Sequence, residues 1–298
     1  EISACLVGSE MCIRDRIYLE RRIAMQKKIA CINDISGVGK CSLTVALPLI
    51  SVLKCQCCPL PTSVLSSQTG YPKYTFVDLT SSIQDYIDTW KELGQEFDTI
   101  YSGFLGSIEQ IKLVENLINN NNKAMVVVDP VLGDLGSIFP IFDDAYVLEM
   151  KKLASMADLI TPNITEANLL LGLDPDKFNY SDIDLKNICR GLAKQGPNLV
   201  LITGFLNDDH IYNISYDAKS DTMTKIGKPY NKISFSGTGD IFTSIVTALI
   251  TRGFDIGFSC QIATDFIYDA VNYTASLGSV DRNDGIMFEN FLASLCQI

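Results

Sequence analysis

Ala124-Met125-Val126-Val127-Val128, followed at once by Asp129-Pro130-Val131-Leu132-Gly133-Asp134, is the stretch whose reading sets the fold class. Unbroken apolar, largely β-branched residues suit a strand covered on both faces, as inside a parallel sheet. The Pro and Gly behind it end the strand and leave two carboxylates beyond its carboxyl end. Outward from there the same unit repeats. Residues 29–32 predict a strand and 43–53 a helix after a glycine-rich turn. Residues 99–101 predict a strand and 108–118 a helix. Further on come a helix over 148–156, a short strand over 159–160 and another buried strand over 199–203. This βαβα order predicts a mostly parallel central sheet with helices on both faces, a three-layer α/β/α fold. Residues 210–215 and 222–226, joined by the polar run 217–221, predict an antiparallel hairpin. Two more helices are expected near 240–252 and 256–276. No repeat or linker-like stretch interrupts the pattern, so a single domain is expected over residues 25–298.

Residues 1–24 stand apart from this pattern. They show no periodicity, lack the apolar centre of a signal peptide, and contain CLVGSEMCIRDR, which reads as translated adapter sequence. A non-native or disordered extension is expected there, with Met25 as the natural start. The chain as a whole has 298 residues, 47% hydrophobic and 20% charged, which suits a sizeable buried core. A net charge of −11 argues against a nucleic-acid partner, which needs a basic face. No run approaches the roughly 20 apolar residues of a membrane span. Ten cysteines and one histidine offer no zinc-site spacing. The thiols, including the cluster Cys55, Cys57 and Cys58, are expected to be reduced in a cytoplasmic protein. His210 falls in the predicted hairpin, far from every motif, so a surface position is expected and no triad built on it is plausible.

Three motifs follow expected strands, where open parallel sheets bind their ligands. In Ser236-Gly237-Thr238-Gly239-Asp240-Ile241-Phe242, glycines let successive amides face one concavity at the start of a helix, an anion site suited to a phosphoryl group in transfer. A carboxylate there would repel phosphate, so Asp240 fits a base that takes a proton from a substrate hydroxyl; the same residues also fit a glycine turn with Asp240 as a helix cap. Asp129 and Asp134 could hold Mg²⁺ directly or through water, or could simply decorate a strand-ending turn. Asn163 and Glu166, in Thr161-Pro162-Asn163-Ile164-Thr165-Glu166, share one side of a first helical turn. They could organise metal-bound water and phosphate, or form a capping box. Gly37-Val38-Gly39-Lys40-Cys41 is not a Walker A loop, because Asp34 and Cys41 stand where Gly and Ser or Thr are required.

Taken together, in this order and each behind a strand, the motifs resemble the ribokinase-like kinases, and among them most closely the pyridoxal kinases. Asn33-Asp34-Ile35-Ser36-Gly37, Ser66-Ser67-Gln68-Thr69-Gly70-Tyr71, Ser102-Gly103-Phe104 and the two runs beginning at Asp129 and Thr161 carry the likeness, over residues 27–298. The resemblance implies an ATP-dependent kinase acting on the 5′-hydroxymethyl group of pyridoxal, pyridoxine or pyridoxamine. It makes Asp240 the base and Gly237, Thr238 and Gly239 the anion hole. It gives Asp129 and Glu166 to Mg²⁺ and the ATP phosphates, with Asp134 and Asn163 nearby, and puts Thr203 on the nucleotide side at the end of its strand. Asp34 or Ser36, with Thr69 and Gly70, would meet the polar edge of the pyridine ring, and Phe104 would lie beside it. It further implies a monovalent cation and a homodimer.

The chain departs from that pattern in the vitamin pocket. Many pyridoxal kinases carry Ser, inside Gln-Ser-His-Val, where Asp34 stands, and many carry His where Gln68 stands. An acidic group at 34 could favour a protonated ring or the amine of pyridoxamine. The rival reading is a hydroxymethylpyrimidine kinase of thiamine synthesis, a family that commonly has Cys at the place of Asp240. A sugar kinase lacks its early Gly-Gly motif here, and a non-catalytic vitamin-binding protein would have no use for the full anion hole.

Overall fold

Alternate residues of the first strand, β1 (Lys28–Ser36), enter two different cores: Ala30 and Ile32 one, Ile29 and Cys31 the other. The same alternation holds for Val126 and Val128 against Val127, and for Val200 and Ile202 against Leu201. Strands with both faces apolar must be covered twice, and that requirement produces the three layers. The structure, a computed structural model, describes residues 26–298. The expected extension over residues 1–24 lies outside the described residues.

Along the chain, β1 leads through α1 (Ser42–Val52) to β2 (Gln56–Leu65) and β3 (Phe76–Asp78). α2 (Thr80–Glu92), β4 (Thr99–Ser102), α3 (Ile108–Asn120) and β5 (Met125–Val128) follow. A small hairpin of β6 (Gly133–Asp134) and β7 (Ser137–Ile138) precedes α4 (Asp144–Ser155), β8 (Leu159–Ile160), α5 (Ile164–Leu171) and α6 (Asp182–Ala193). The chain continues through β9 (Leu199–Asn207), β10 (His210–Asp217) and β11 (Thr222–Pro229) to α7 (Thr238–Thr251), α8 (Ile256–Ser276) and the short α9 (Leu292–Leu295).

Nine strands form one sheet in the order β11-β10-β9-β8-β5-β4-β1-β2-β3. The six from β9 to β2 are parallel, with antiparallel partners at both margins. One core lies between the sheet and α2 to α6, the other between the sheet and α1, α7 and α8. From β1 the chain proceeds outward to β2 on one side, then returns to lay down β4, β5, β8 and β9 on the other. The order therefore reverses between β1 and β4, and the crevice at their carboxyl ends is where such folds bind ligands.

Several expected elements differ in extent. β1 runs on to Ser36, and α4 starts at Asp144, capped by the Asp143 side chain on the Tyr146 amide. β9 continues to Asn207, so Thr203 does not end it; instead Gly204, at φ +64°, bends the strand there while pairing with β10 resumes beyond. β2, β3, α2 and α6 are not in the sequence pattern read above. β2 holds Pro59 and Pro61, which argue against a strand in a sheet interior. They are accommodated because β3 pairs only with Ser63, Val64 and Leu65, leaving the proline-bearing part of β2 without a second neighbour.

Candidate active site

The turn before α7 is made possible by one glycine. Gly237 has φ +79°, and any Cβ at that position would overlap the Lys40 carbonyl, so the β1–α1 loop packs directly onto its backbone. The first bond into the helix runs from the Ile241 amide to the Gly237 carbonyl at 3.0 Å, and no side chain caps the end. The amides of Thr238, Gly239 and Asp240 therefore lack helical acceptors, and the space beside Gly239 is open. Unsatisfied amides and a helix dipole make this helix start chemically suited to an anion. Asp240 is the third residue of the helix and makes no capping bond, which removes the alternative of a helix-cap aspartate.

Asp240 is held from the β1 side. Asn33 Nδ2 donates to Asp240 Oδ1 at 3.4 Å, and the Ser42 amide donates to the same carboxylate. Burial pushes the Asp240 carboxyl up to about 6; the Ser42 amide opposes this, the Asp34 charge adds to it, and Asn33 opposes it. A carboxylate with that affinity for protons is matched to accepting one from an alcohol near neutral pH.

Beyond β5 the acids are more deeply placed. Asp129 is 8% exposed, accepts from the Thr243 hydroxyl at 3.4 Å, and is pushed up to about 8, first by burial and then by the Asp240 charge. The Thr243 and Thr161 hydroxyls are hydrogen-bonded to each other at 3.1 Å, joining α7 to the loop after β8; with its own proton directed at Asp129, Thr243 is the acceptor in that pair. Glu166 forms a complete capping box with Asn163: its Oε2 accepts the Asn163 amide at 2.8 Å, and Asn163 Oδ1 accepts the Glu166 amide at 2.9 Å. Its other oxygen accepts the Leu132 amide at 3.1 Å, and burial, with the Asp129 charge behind it, raises its carboxyl well above the usual range. Asn163 Nδ2 reaches the Gly133 carbonyl at 2.8 Å, while the backbone around Asn163 forms a parallel β-bridge with Thr203, whose amide donates to the Pro162 carbonyl. Asp134 is exposed and accepts the Leu135 amide. Among the described residues no ion pair reaches Asp129, Glu166 or Asp240, and no three acidic, thiol or imidazole groups converge as a ready-made metal cage.

On the β1 side, Asp34 is 6% exposed and both its oxygens are occupied, by Ser36 Oγ at 3.0 Å and Ser42 Oγ at 2.5 Å. Ser36 borders a cavity of about 440 Å³ between the β1–α1 loop and the carboxyl-terminal segment at Asp284 and Phe288. Thr69 and Gly70 are exposed on the loop after β2, where Gln68 accepts the Gly70 amide and donates to Asn283. Phe104 is half-buried, its ring 6.2 Å from that of Phe142. The fold thus gathers Asp34, Ser36 and Asp240 at one point and Asp129, Asn163, Glu166 and Thr203 at a second, joined by the charge coupling of Asp129 to Asp240. The side-chain hydrogen bonds of the two groups do not include Thr69, Gly70 or Asp134. Asn33, Ser42 and Thr243 join these groups: Asn33 stands in a motif quoted above without a role, and Ser42 and Thr243 were not singled out by the sequence. Thr243, one turn after Asp240 on the same helix face, was detectable by spacing; Ser42, at φ +54°, carries no sequence signal for its backbone role.

The sequence profile of a family described as phosphomethylpyrimidine kinase matches residues 49–283. A Bacillus subtilis hydroxymethylpyrimidine/phosphomethylpyrimidine kinase is 29% identical over 61% of this chain, and the match spans 66% of that enzyme's own length. A Bacteroides thetaiotaomicron protein assigned as a phosphomethylpyrimidine kinase, crystallised with pyridoxal, superposes with a TM-score of 0.87 at 39% identity, covering 91% of this chain and 96% of that one. Pyridoxal kinase from Lactobacillus plantarum superposes with a TM-score of 0.84 at 28% identity, covering 92% and 98%.

Proposed function

This chain belongs to the phosphomethylpyrimidine kinase family, and from that premise we propose that it phosphorylates the 5′-hydroxymethyl group of pyridoxal, pyridoxine or pyridoxamine, with ATP as donor and Asp240 as base. The observation that carries the reading is the juxtaposition of a proton acceptor with an empty-handed helix start: Asp240, raised to about 6, directly follows the free amides of Thr238 and Gly239. Asp240 takes the hydroxyl proton as the substrate oxygen attacks the γ-phosphorus. The bond from that phosphorus to the β–γ bridging oxygen breaks, ADP leaves, and the amide cup receives the negative charge on the transferred oxygens.

Buried carboxylates at 129 and 166 that lack a cationic partner fit a divalent cation, and Mg²⁺ is the oxygen-seeking ion that phosphates bring. Because both Glu166 oxygens already accept amides, its hold would pass through water; Asp129 would be the nearer ligand, with Asp134 and Asn163 around it. When bound, Mg²⁺ supplies neutralisation of phosphate charge. Thr203, beside Asn163, belongs to the nucleotide side in this reading. A monovalent cation, a homodimer and a cytoplasmic setting complete the proposal; no helix among the described residues is long and apolar enough to cross a membrane.

Support for the vitamin rather than the pyrimidine comes from the 39% identical protein crystallised with pyridoxal and from Asp, not Cys, at 240. The second reading, hydroxymethylpyrimidine as acceptor, is favoured by the description of the family itself and by the Bacillus relative. A panel of pyridoxal, pyridoxine, pyridoxamine and hydroxymethylpyrimidine with Mg-ATP separates the two. The highest kcat/KM is expected for a B6 vitamer, and Asp240→Asn is expected to lower it by about a thousandfold. Preference for hydroxymethylpyrimidine would transfer the assignment to thiamine precursors.

A further inference from the structure

Asn33 is 1% exposed, near the carboxyl end of β1, at the point where the strand order reverses. Its Oδ1 accepts two amides, from Phe104 at 2.9 Å and from Asp34 at 3.0 Å. Only the oxygen of a carboxamide can meet two N–H donors, so the NH₂ group is forced to the opposite side, where it reaches Asp240 Oδ1. Gly103 has no room for any side chain because the Asn33 amide fills the place a Cβ would take. The neighbouring donor to Asp240, the Ser42 amide, is likewise set from β1: Ser42 adopts φ +54° with its hydroxyl bound to Asp34 Oδ1 at 2.5 Å. One strand therefore aims the acid through two donors, and the same carboxamide fixes the backbone on which Phe104 is carried.

We propose that Asn33 is a positioning residue for phosphoryl transfer, which points the Asp240 carboxylate at the acceptor hydroxyl and ties that direction to the Phe104 wall of the cleft. The inference rests on the reading of Asp240 as the base. Asp34 then acts behind the clamp, with one oxygen holding Ser42 and the other Ser36.

Two substitutions separate positioning from plain support. Asn33→Leu removes the donor together with both accepted bonds. Asn33→Asp keeps an oxygen for the Phe104 and Asp34 amides but sets a like charge against Asp240. Turnover is expressed per nucleotide site, counted by ADP binding, so that loss of folded protein does not enter the comparison. Asn33→Leu is expected to lower kcat per site by about 10–100-fold with KM for ATP within about twofold, and Asn33→Asp at least as far. A residue that only braces the loop gives the reverse order, Asp milder than Leu, and that order, or an unchanged rate per site in both, overturns the proposal. If Asn33→Leu yields no folded protein, Asn33→Asp against wild type decides alone: a fall of about tenfold or more supports positioning, a smaller one overturns it. Asp240→Asn tests the underlying reading separately. A rate within about tenfold of wild type removes Asp240 as the base. A loss of about a thousandfold beside full-rate Asn33 variants keeps the base and removes the clamp.

Discussion

Asp240 must be ionised to accept a proton, and burial has moved its titration to about 6. In the proposed role as base, Asp240 is protonated and idle below that pH and ionised above it. kcat/KM for the acceptor is therefore expected to be flat near pH 7.5 and to fall about tenfold per pH unit below pH 6, measurable between pH 5 and 8 in a coupled ADP assay. A flat profile down to pH 5 would place the proton transfer elsewhere. Gly237 is a second residue whose chemistry is set by position. At φ +79°, with the Lys40 carbonyl where a Cβ would stand, Gly237→Ala costs the left-handed penalty of about 1–2 kcal/mol and displaces the β1–α1 loop as well. Near-complete loss of turnover is expected, together with a lowered thermal midpoint. Gly239, with open space around it, is expected to tolerate Ala for folding while still crowding a bound phosphate. Both glycines stand inside a motif legible in the sequence, but nothing in the sequence tells them apart. The distinction is a contact with Lys40, nearly two hundred positions away.

At the level of elements, the start of α5 serves two ends at once. The capping box of Asn163 and Glu166 satisfies the helix amides, and the same Glu166 stands behind Asp129 with its second oxygen on the Leu132 amide. The capping box is present, and the proposed phosphate-side role is compatible with it, because the capped carboxylate still stands behind Asp129. Asn163→Ala is expected to destabilise the protein by about 1 kcal/mol in denaturant unfolding, the usual worth of a cap. It should also raise KM for Mg-ATP, since the side-chain bond to the Gly133 carbonyl beside Asp134 is lost with it. Unchanged KM with lowered stability would reduce Asn163 to a cap. α6 was equally open to sequence reading: Leu185, Ile188, Cys189 and Leu192 follow helical spacing behind Ser181 and Asp184, a capping box. β2 was not, because Pro59 and Pro61 are compatible with a strand only when a neighbour is missing, a property of the sheet and not of the segment.

Over the whole molecule, the cleft stores unfavourable charge. Asp129 and Asp240 take up protons more readily folded than unfolded, so their contribution to stability is fully present below about pH 4 and is lost as pH rises through about 6 and then about 8. The ligand-free protein is expected to melt lower at pH 8 than at pH 5.5, and Asp129→Asn to shrink that difference while abolishing most activity. At about 2–4 °C per kcal/mol for a large domain, the gain at pH 8 should be resolved by calorimetry. A wild-type midpoint that rises from pH 5.5 to 8 and an Asp129→Asn midpoint no higher than wild type would remove this account of the cleft. The layering itself was determined by sequence alone: runs such as 124–128 and 199–203 are apolar at consecutive positions, and only a sheet covered on both faces can bury them. So was the succession of glycine and acid at 237–240, because backbone freedom and charge are properties of the residues themselves. What the tertiary structure decided is which groups meet. That Asn33 faces Asp240 and that Thr203 lies within its strand follow from how distant segments are brought together. Contacts of that range depend on how the whole sheet closes, and no local run of residues encodes them.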